Sequence, residues 1–334
     1  MQPDSRTALV LVTGSGRSGT SSLAGTLKRL GLHIPQPEVE ASETNPRGFY
    51  EPQWVIDFHK GYLKGLGIHN IDSRPGVERL VQELAETGEP GARLTDWLGE
   101  QPRDHPLVVK DPHAFWFAEV WRSSCAAADL DLRWLTALRH PAEVVGSRDL
   151  AYLQDRSDEL RLVKETSNVA GWVHAALLTE RAGRGGLRAF VRYGDLLDDW
   201  RTAMRPAAGQ LELRDLDLAE RPDHPVDDFL EPSMRRSKLT WDDIRVPGWL
   251  QEMAEEVWQL LERLVDAPAD TEAQDRLDAI GSDYRARYVE AVALTFDHTQ
   301  GENKVAARQA RDAQRETVQD LRRKLQRLRA QHGS

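Results

Sequence analysis

The segment Leu9–Leu23 reads LVLVTGSGRSGTSSL: an apolar run, a turn of Gly and Ser, then residues at helical spacing (Leu23, Leu27, Leu30). A strand, a glycine turn and a helix N-terminus together make a phosphate cradle. The first N–H groups of the helix have no intrahelical partner, its dipole adds partial positive charge, and glycine lets a ligand approach the backbone. The ATPase pattern G-x-x-x-x-G-K-[ST] would run from Gly14 to Gly19, yet Thr20 stands where its Lys should be. The cation lies inside the loop instead, at Arg17. Such a loop can hold a phosphate but lacks the Lys that ATP chemistry uses on the β- and γ-phosphates. The competing reading is a strand-to-helix turn with no ligand, since glycine turns are common there.

A second segment, Leu132–Ser147 (LRWLTALRHPAEVVGS), predicts a buried strand through Leu138 and a helix from Pro141. Arg139 then sits at the carboxyl end of a strand, where open α/β sheets bind ligands. Ser147 follows about two helical turns into the next helix.

Taken together, R-S-G-T-S before a helix and Arg–x₇–Ser across a strand-to-helix junction resemble the two donor motifs of sulfotransferases that use 3′-phosphoadenosine-5′-phosphosulfate (PAPS). Asn45–Glu51 (NPRGFYE), Val108–Pro112 (VVKDP), Val191–Leu197 (VRYGDLL) and the late Arg-bearing stretch around Met234–Arg236 resemble further segments of one bacterial branch. The resemblance extends over about residues 8–265. It implies a P-loop-NTPase-like α/β fold, a central parallel sheet flanked by helices, with the donor across the carboxyl ends of the strands. Two departures stand out: Gly194 replaces the usual acid after the Tyr, and His113 replaces the usual Arg after K-D-P.

The resemblance also implies roles. Gly16, Arg17, Ser18, Gly19, Thr20 and Ser21 would hold the 5′-phosphosulfate, with Arg17 as the cation. Arg139 and Ser147 would grip the 3′-phosphate, a task that suits a planar guanidinium fork. Arg235 and Arg236 would close over that phosphate, although an Arg pair is also ordinary solvated surface. Tyr193 is a candidate for the adenine pocket, or else a buried Tyr with a satisfied hydroxyl. Lys110 could reach the sulfuryl or bridging oxygen, or simply pair with Asp111. The general base is Glu51, whose aromatic flanks would raise its pKa by desolvation, or His113 just beyond the same strand as Lys110. His140 reads as a donor-side or structural residue, and His59 and Asp57 as outsiders. Trp54, Phe115, Trp116 and Phe117 suggest either an aromatic acceptor cleft or core packing. Sulfuryl transfer needs no metal, because its chemistry is positioning plus electrostatics.

Composition narrows the class. Hydrophobic residues make up 40% of the 334, with ten Trp, which argues for a folded chain. No run approaches the ~20 apolar residues of a membrane span, and the polar start does not read as a signal peptide. One cysteine, Cys125, excludes an internal disulfide, so the expectation is a cytoplasmic enzyme with a packed thiol. Net charge is −10, which argues against general nucleic-acid affinity. Residues 303–330 carry nine Lys or Arg against three acids, a local +6, so the remainder is −10 − 6 = −16. The donor site must then be a local basic pocket in an acidic body.

Strands are expected at Ala8–Thr13, Leu107–Val109, Leu132–Leu138 and Leu187–Arg192. Helices are expected at Thr20–Leu30, Val77–Glu86, Pro141–Ala151, Glu159–Ala182 and Gly248–Leu264. The segment 66–106, polar and rich in Pro and Gly, reads as an excursion over the substrate side. The domain is expected over 1–300, followed by a basic helical extension over 301–334. In that extension Val318, Leu321, Leu325 and Leu328 form a short 3-4-3 seam. It suits either a terminal helix packed on its own domain or a weak homodimer contact. The acceptor is expected to be a small molecule or a carbohydrate. Competing classes are a P-loop kinase of a small metabolite and a non-catalytic nucleotide-binding scaffold.

Overall fold

The computed structural model describes residues 6–43, 45–149, 157–221, 223–235 and 237–331. In chain order its elements are β1 (Thr7–Thr13), α1 (Thr20–Arg29), α2 (Gln53–Gly65), α3 (Glu78–Glu86), α4 (Glu89–Gly99) and β2 (Leu107–Lys110). Then come α5 (Ala118–Ala127), β3 (Leu130–Leu138), α6 (Pro141–Asp149), α7 (Asp158–Ala182), β4 (Leu187–Arg192) and α8 (Tyr193–Asp198). The chain continues through α9 (Trp200–Gln210), α10 (Gly248–Asp266), α11 (Thr271–Leu294) and α12 (Phe296–Gln331).

The four strands form one parallel sheet in the order β2-β1-β3-β4. Helices cover both faces, because a parallel sheet must bury both. Along β1, Ala8, Val10 and Val12 join one core with α1, α8 and α9, while Leu9 and Leu11 join the other with α2 to α5. All five are buried, and each Leu or Val contributes about 1.5–3 kcal/mol by leaving water. From β1 the next strand, β2, lies to one side and β3 to the other. That reversal opens a crevice at the carboxyl ends of the strands, where such folds take ligands.

The four expected strands and the five expected helices are present, with ends shifted by a residue or two. The part of the third expected helix beyond Asp149 lies outside the described residues. The segment 66–106 differs from expectation. Besides the expected α3 it holds a second helix, α4, whose Leu94, Trp97 and Leu98 enter the core beside β2. Pro90 in the first turn starts this helix where it looked like a break, since the missing N–H there has no partner to lose.

Of the two readings of the aromatic residues, core packing holds. Phe115, Trp116 and Phe117 are buried, and Trp54 stacks on Phe58 and on Trp97 at 4.9 Å each. Cys125 on α5 is buried, and burial pushes its thiol up to about 12.

Contacts divide the chain into two units, Met1–Gly281 and Ser282–Ser334, within α11 and ahead of residue 301, which itself lies inside α12. The second unit is helical on both sides of Thr295, and its Val318 and Leu321 are exposed. The side chains of Leu325 and Leu328 lie outside the described residues. Among the described residues no helix is long and apolar enough to cross a membrane.

Candidate functional site

All four strands deliver their carboxyl ends to one region. β1 leads into the loop 14–19, β2 ends on Lys110, β3 is followed by Arg139, and β4 by Tyr193. A cleft of about 450 Å³ opens there. Its walls include Gly16, Arg17, Gly19, Thr20, Ser21, Glu51, Lys110, His113, Arg139, Ser147 and Tyr193. Residues the sequence did not single out for the site also line it: Asn45, Arg47, Phe49, Lys60, Asn70 and Met234. Two of the expected residues, Ser18 and Arg235, are not among the residues that line it, and Arg236 lies outside the described residues.

The loop is built to receive an anion. Gly19 caps α1 in the left-handed conformation, with no side chain capping the helix and no acid in its first turn. Arg17 is left-handed as well, at φ 76°, a costly state for a non-glycine residue and one found at functional loops. Alternation of such residues turns successive N–H groups toward one point. Gly19 is required twice over, for its φ of 91° and because a Cβ there would meet the Tyr193 ring at 2.1 Å. Gly14 is equally constrained, since its Cβ would meet the Ala137 carbonyl at 2.6 Å. Ser18 is buried with its hydroxyl 2.5 Å from that of Ser15, so it braces the loop from behind.

One corner of the cleft is rich in guanidinium groups. Arg139 is buried, and its Nε donates to Glu143 at 3.0 Å, its Nη1 to the Arg17 carbonyl at 3.1 Å and its Nη2 to the Ser237 carbonyl at 3.0 Å. Those bonds fix the fork and leave two of its five N–H groups. Arg17 Nε donates to Ser147 Oγ at 3.1 Å, so loop and α6 meet at this corner. Arg235 also pairs with Glu143. Burial acts to raise the Glu143 pKa, but the bonds from Arg235 and Arg139 outweigh it and hold the carboxyl below its ordinary value. Two guanidinium groups, those of Arg139 and Arg235, share the Glu143 carboxylate here. Tyr193 lies under Arg139, 5.0 Å from ring centroid to guanidinium, and its hydroxyl donates to the Met234 carbonyl at 3.0 Å. His140 is not among the residues that line the cleft. It accepts from the Ala142 N–H and binds Glu255 on α10 at 3.1 Å, a structural role.

At the β2 end, buried Lys110 pairs with buried Glu51 and donates to Ser21 Oγ at 3.3 Å. Its expected alternative partner, Asp111, is engaged elsewhere. Asp111 Oδ1 accepts from the His113 N–H at 2.9 Å and lies 2.7 Å from His113 Nδ1, while Oδ2 lies 2.6 Å from His59 Nδ1. Burial would raise the Asp111 pKa, but the two imidazoles hold it well below the carboxylate range. His59 is therefore no outsider to this group of residues, whereas Asp57 is exposed and accepts from Gln53. No spacing rule links 59 with 111, so the sequence carried no signal for this contact.

No protein-family model matches the chain, and no curated protein matches it. Among solved structures it is similar to the sulfotransferase domain from the Synechococcus PCC 7002 olefin synthase, at 16% identity and a TM-score of 0.46, covering 78% of this chain and 98% of that one. It is also similar to the sulfotransferase domain from the curacin biosynthetic pathway, at 15% identity and a TM-score of 0.39, covering 77% of this chain and 99% of that one.

Proposed function

We propose that this protein is a PAPS-dependent sulfotransferase that forms a sulfate ester on a hydroxyl of a small-molecule or carbohydrate acceptor. The observation that carries the reading is a single cleft shared by an uncapped, Lys-free phosphate loop, the Lys110 amine and the Arg139–Ser147 corner. The resemblance of the same segments to the donor motifs of that family supports it. A donor with phosphate at both ends of its ribose needs two cationic subsites, and the cleft has one at each side of the loop.

In this reading the first N–H groups of α1, with the Thr20 and Ser21 hydroxyls, bind the 5′-phosphosulfate. Arg139, Arg235 and Ser147 bind the 3′-phosphate, joined by Arg17, which was expected at the 5′ end but whose Nε donates to Ser147 at 3.1 Å. His113 Nε2 takes the proton from the acceptor hydroxyl. The acceptor oxygen forms a bond to sulfur as the bond from sulfur to the 5′-phosphate oxygen breaks, and 3′,5′-ADP leaves. Lys110 neutralises the charge that grows on that leaving oxygen. His113 is better placed as the base than Glu51, because the Glu51 carboxylate is taken up by the Lys110 ammonium, whereas the His113 ring is held by Asp111 at Nδ1 and lines the cleft.

The 3′-phosphate contact is tested by Arg139→Ala. Charge-assisted bonds contribute about 1.5–3 kcal/mol, so 3′,5′-ADP affinity is expected to fall roughly 10–150-fold. Calorimetric affinity for 5′-AMP, which lacks the 3′-phosphate, should stay nearly constant. An unchanged ratio of the two affinities would show that Arg139 does not read the 3′-phosphate.

A further inference from the structure

We propose that Asp111, His59 and Trp121 form a buried positioning relay that sets the tautomer of His113 and so presents its Nε2 to the cleft as a proton acceptor. The proposal rests on the reading of His113 as the base. It assigns work to three residues that touch neither donor nor acceptor.

The chain of bonds has one consistent direction. An indole N–H can only donate, and Trp121 Nε1 donates to His59 Nε2 at 3.0 Å. His59 Nε2 is therefore an acceptor, and its ring proton sits on Nδ1. A ring that accepts at Nε2 is neutral, and burial of the fully enclosed His59 lowers its pKa in the same sense. The Nδ1–H then donates to Asp111 Oδ2. An ionised carboxylate accepts on both oxygens, so Oδ1 takes both the backbone N–H and the Nδ1–H of His113. The lone pair of His113 is left on Nε2, which makes no hydrogen bond to any described residue, on a side chain that lines the cleft.

Stability alone does not call for this arrangement. An apolar cluster of equal volume is often as stable as buried charged groups, or more so. Here a carboxylate and an imidazole are buried behind one cleft-lining ring, with Phe117 stacked on His59 at 4.7 Å. The set is also intolerant of the smallest change. Asparagine at 111 offers one acceptor and one donor. With its oxygen toward His113, its NH₂ forces His59 into the Nε2–H tautomer, against the Trp121 N–H. With its oxygen toward His59, its NH₂ forces the lone pair of His113 onto Nδ1.

The test is the ring ¹⁵N spectrum of histidine-labelled protein, recorded above the histidine titration range. Wild type is expected to show His59 and His113 both protonated at Nδ1 and bare at Nε2. In Asp111→Asn at least one of the two rings should exchange its protonated nitrogen. In the double variant Asp111→Asn/Trp121→Phe the exchange should fall on His59 alone, with His113 returned to Nδ1–H. Turnover in Asp111→Asn should drop about 10²–10⁴-fold wherever His113 flips. His113 found with its proton on Nε2 in wild type, or both rings unchanged in Asp111→Asn, overturns the relay. No donor or acceptor enters the spectrum, so its failure is separate from that of the sulfotransferase reading, which depends on binding 3′,5′-ADP.

Discussion

Alanine at position 113 is expected to lower kcat toward an alcohol acceptor about 10²–10⁴-fold and to leave 3′,5′-ADP affinity unchanged. The imidazole lines the cleft, its Nδ1 is tied to Asp111, and the ring lies outside the guanidinium corner that would hold the nucleotide. Loss of the ring therefore removes proton transfer without removing a donor contact. Glu51→Gln should act differently. It leaves Lys110 buried without its counter-ion, so the variant should lose thermal stability and keep more turnover than His113→Ala. Both variants are to be compared by initial rates on an alcohol found to be sulfated with labelled PAPS, because a phenol is already acidic enough to mask a lost base. Near-normal turnover in His113→Ala beside abolished turnover in Glu51→Gln reverses the two roles.

The second large effect falls on Lys110. Removing one partner of a buried ion pair typically costs about 3–5 kcal/mol, so Lys110→Ala should melt well below wild type. Turnover should fall as well, by about 10²–10³-fold, the usual loss when one preorganised donor to a developing charge is removed. Stability and catalysis can be separated by replacing both partners. Lys110→Met with Glu51→Gln removes both charges at similar volume and should recover most of the melting temperature. Its kcat should remain low, since no cation then faces the leaving oxygen. Recovery of turnover together with stability would assign Lys110 a structural role only.

How far these residues could be read in advance follows the range of the interactions. Strand and helix identity is local. The apolar runs at 8–13 and 132–138 and the glycines of the loop announced β1, β3 and the cradle, and parallel pairing placed Lys110, Arg139 and Tyr193 at one edge. Arg139 and Ser147 sit on one strand-to-helix junction, so their spacing carried meaning. The failures are tertiary. The aromatic residues Trp54, Phe115, Trp116 and Phe117 were left between core and cleft because sequence gives no direction to a side chain, and packing of α2 against α4 stacked Trp54 on Trp97. The helix α4 was hidden by Pro90, a residue that breaks a helix interior yet opens a first turn. The pairing of Arg235 with Glu143, 92 positions away, was invisible to spacing. The same holds for His59, which reaches Asp111 across 52 positions.

The most direct measurement is the shift in melting temperature caused by 3′,5′-ADP and, separately, by ATP with Mg²⁺, at equal concentrations. Stabilisation by a ligand follows RT ln(1 + [L]/Kd), about 2.7 kcal/mol at a hundredfold excess over Kd, so the nucleotide the cleft prefers moves the transition most. The guanidinium corner around Arg139 and the Thr at position 20 predict a clear upward shift with 3′,5′-ADP and little with ATP–Mg²⁺. An equal or larger shift with ATP–Mg²⁺ contradicts the sulfotransferase account.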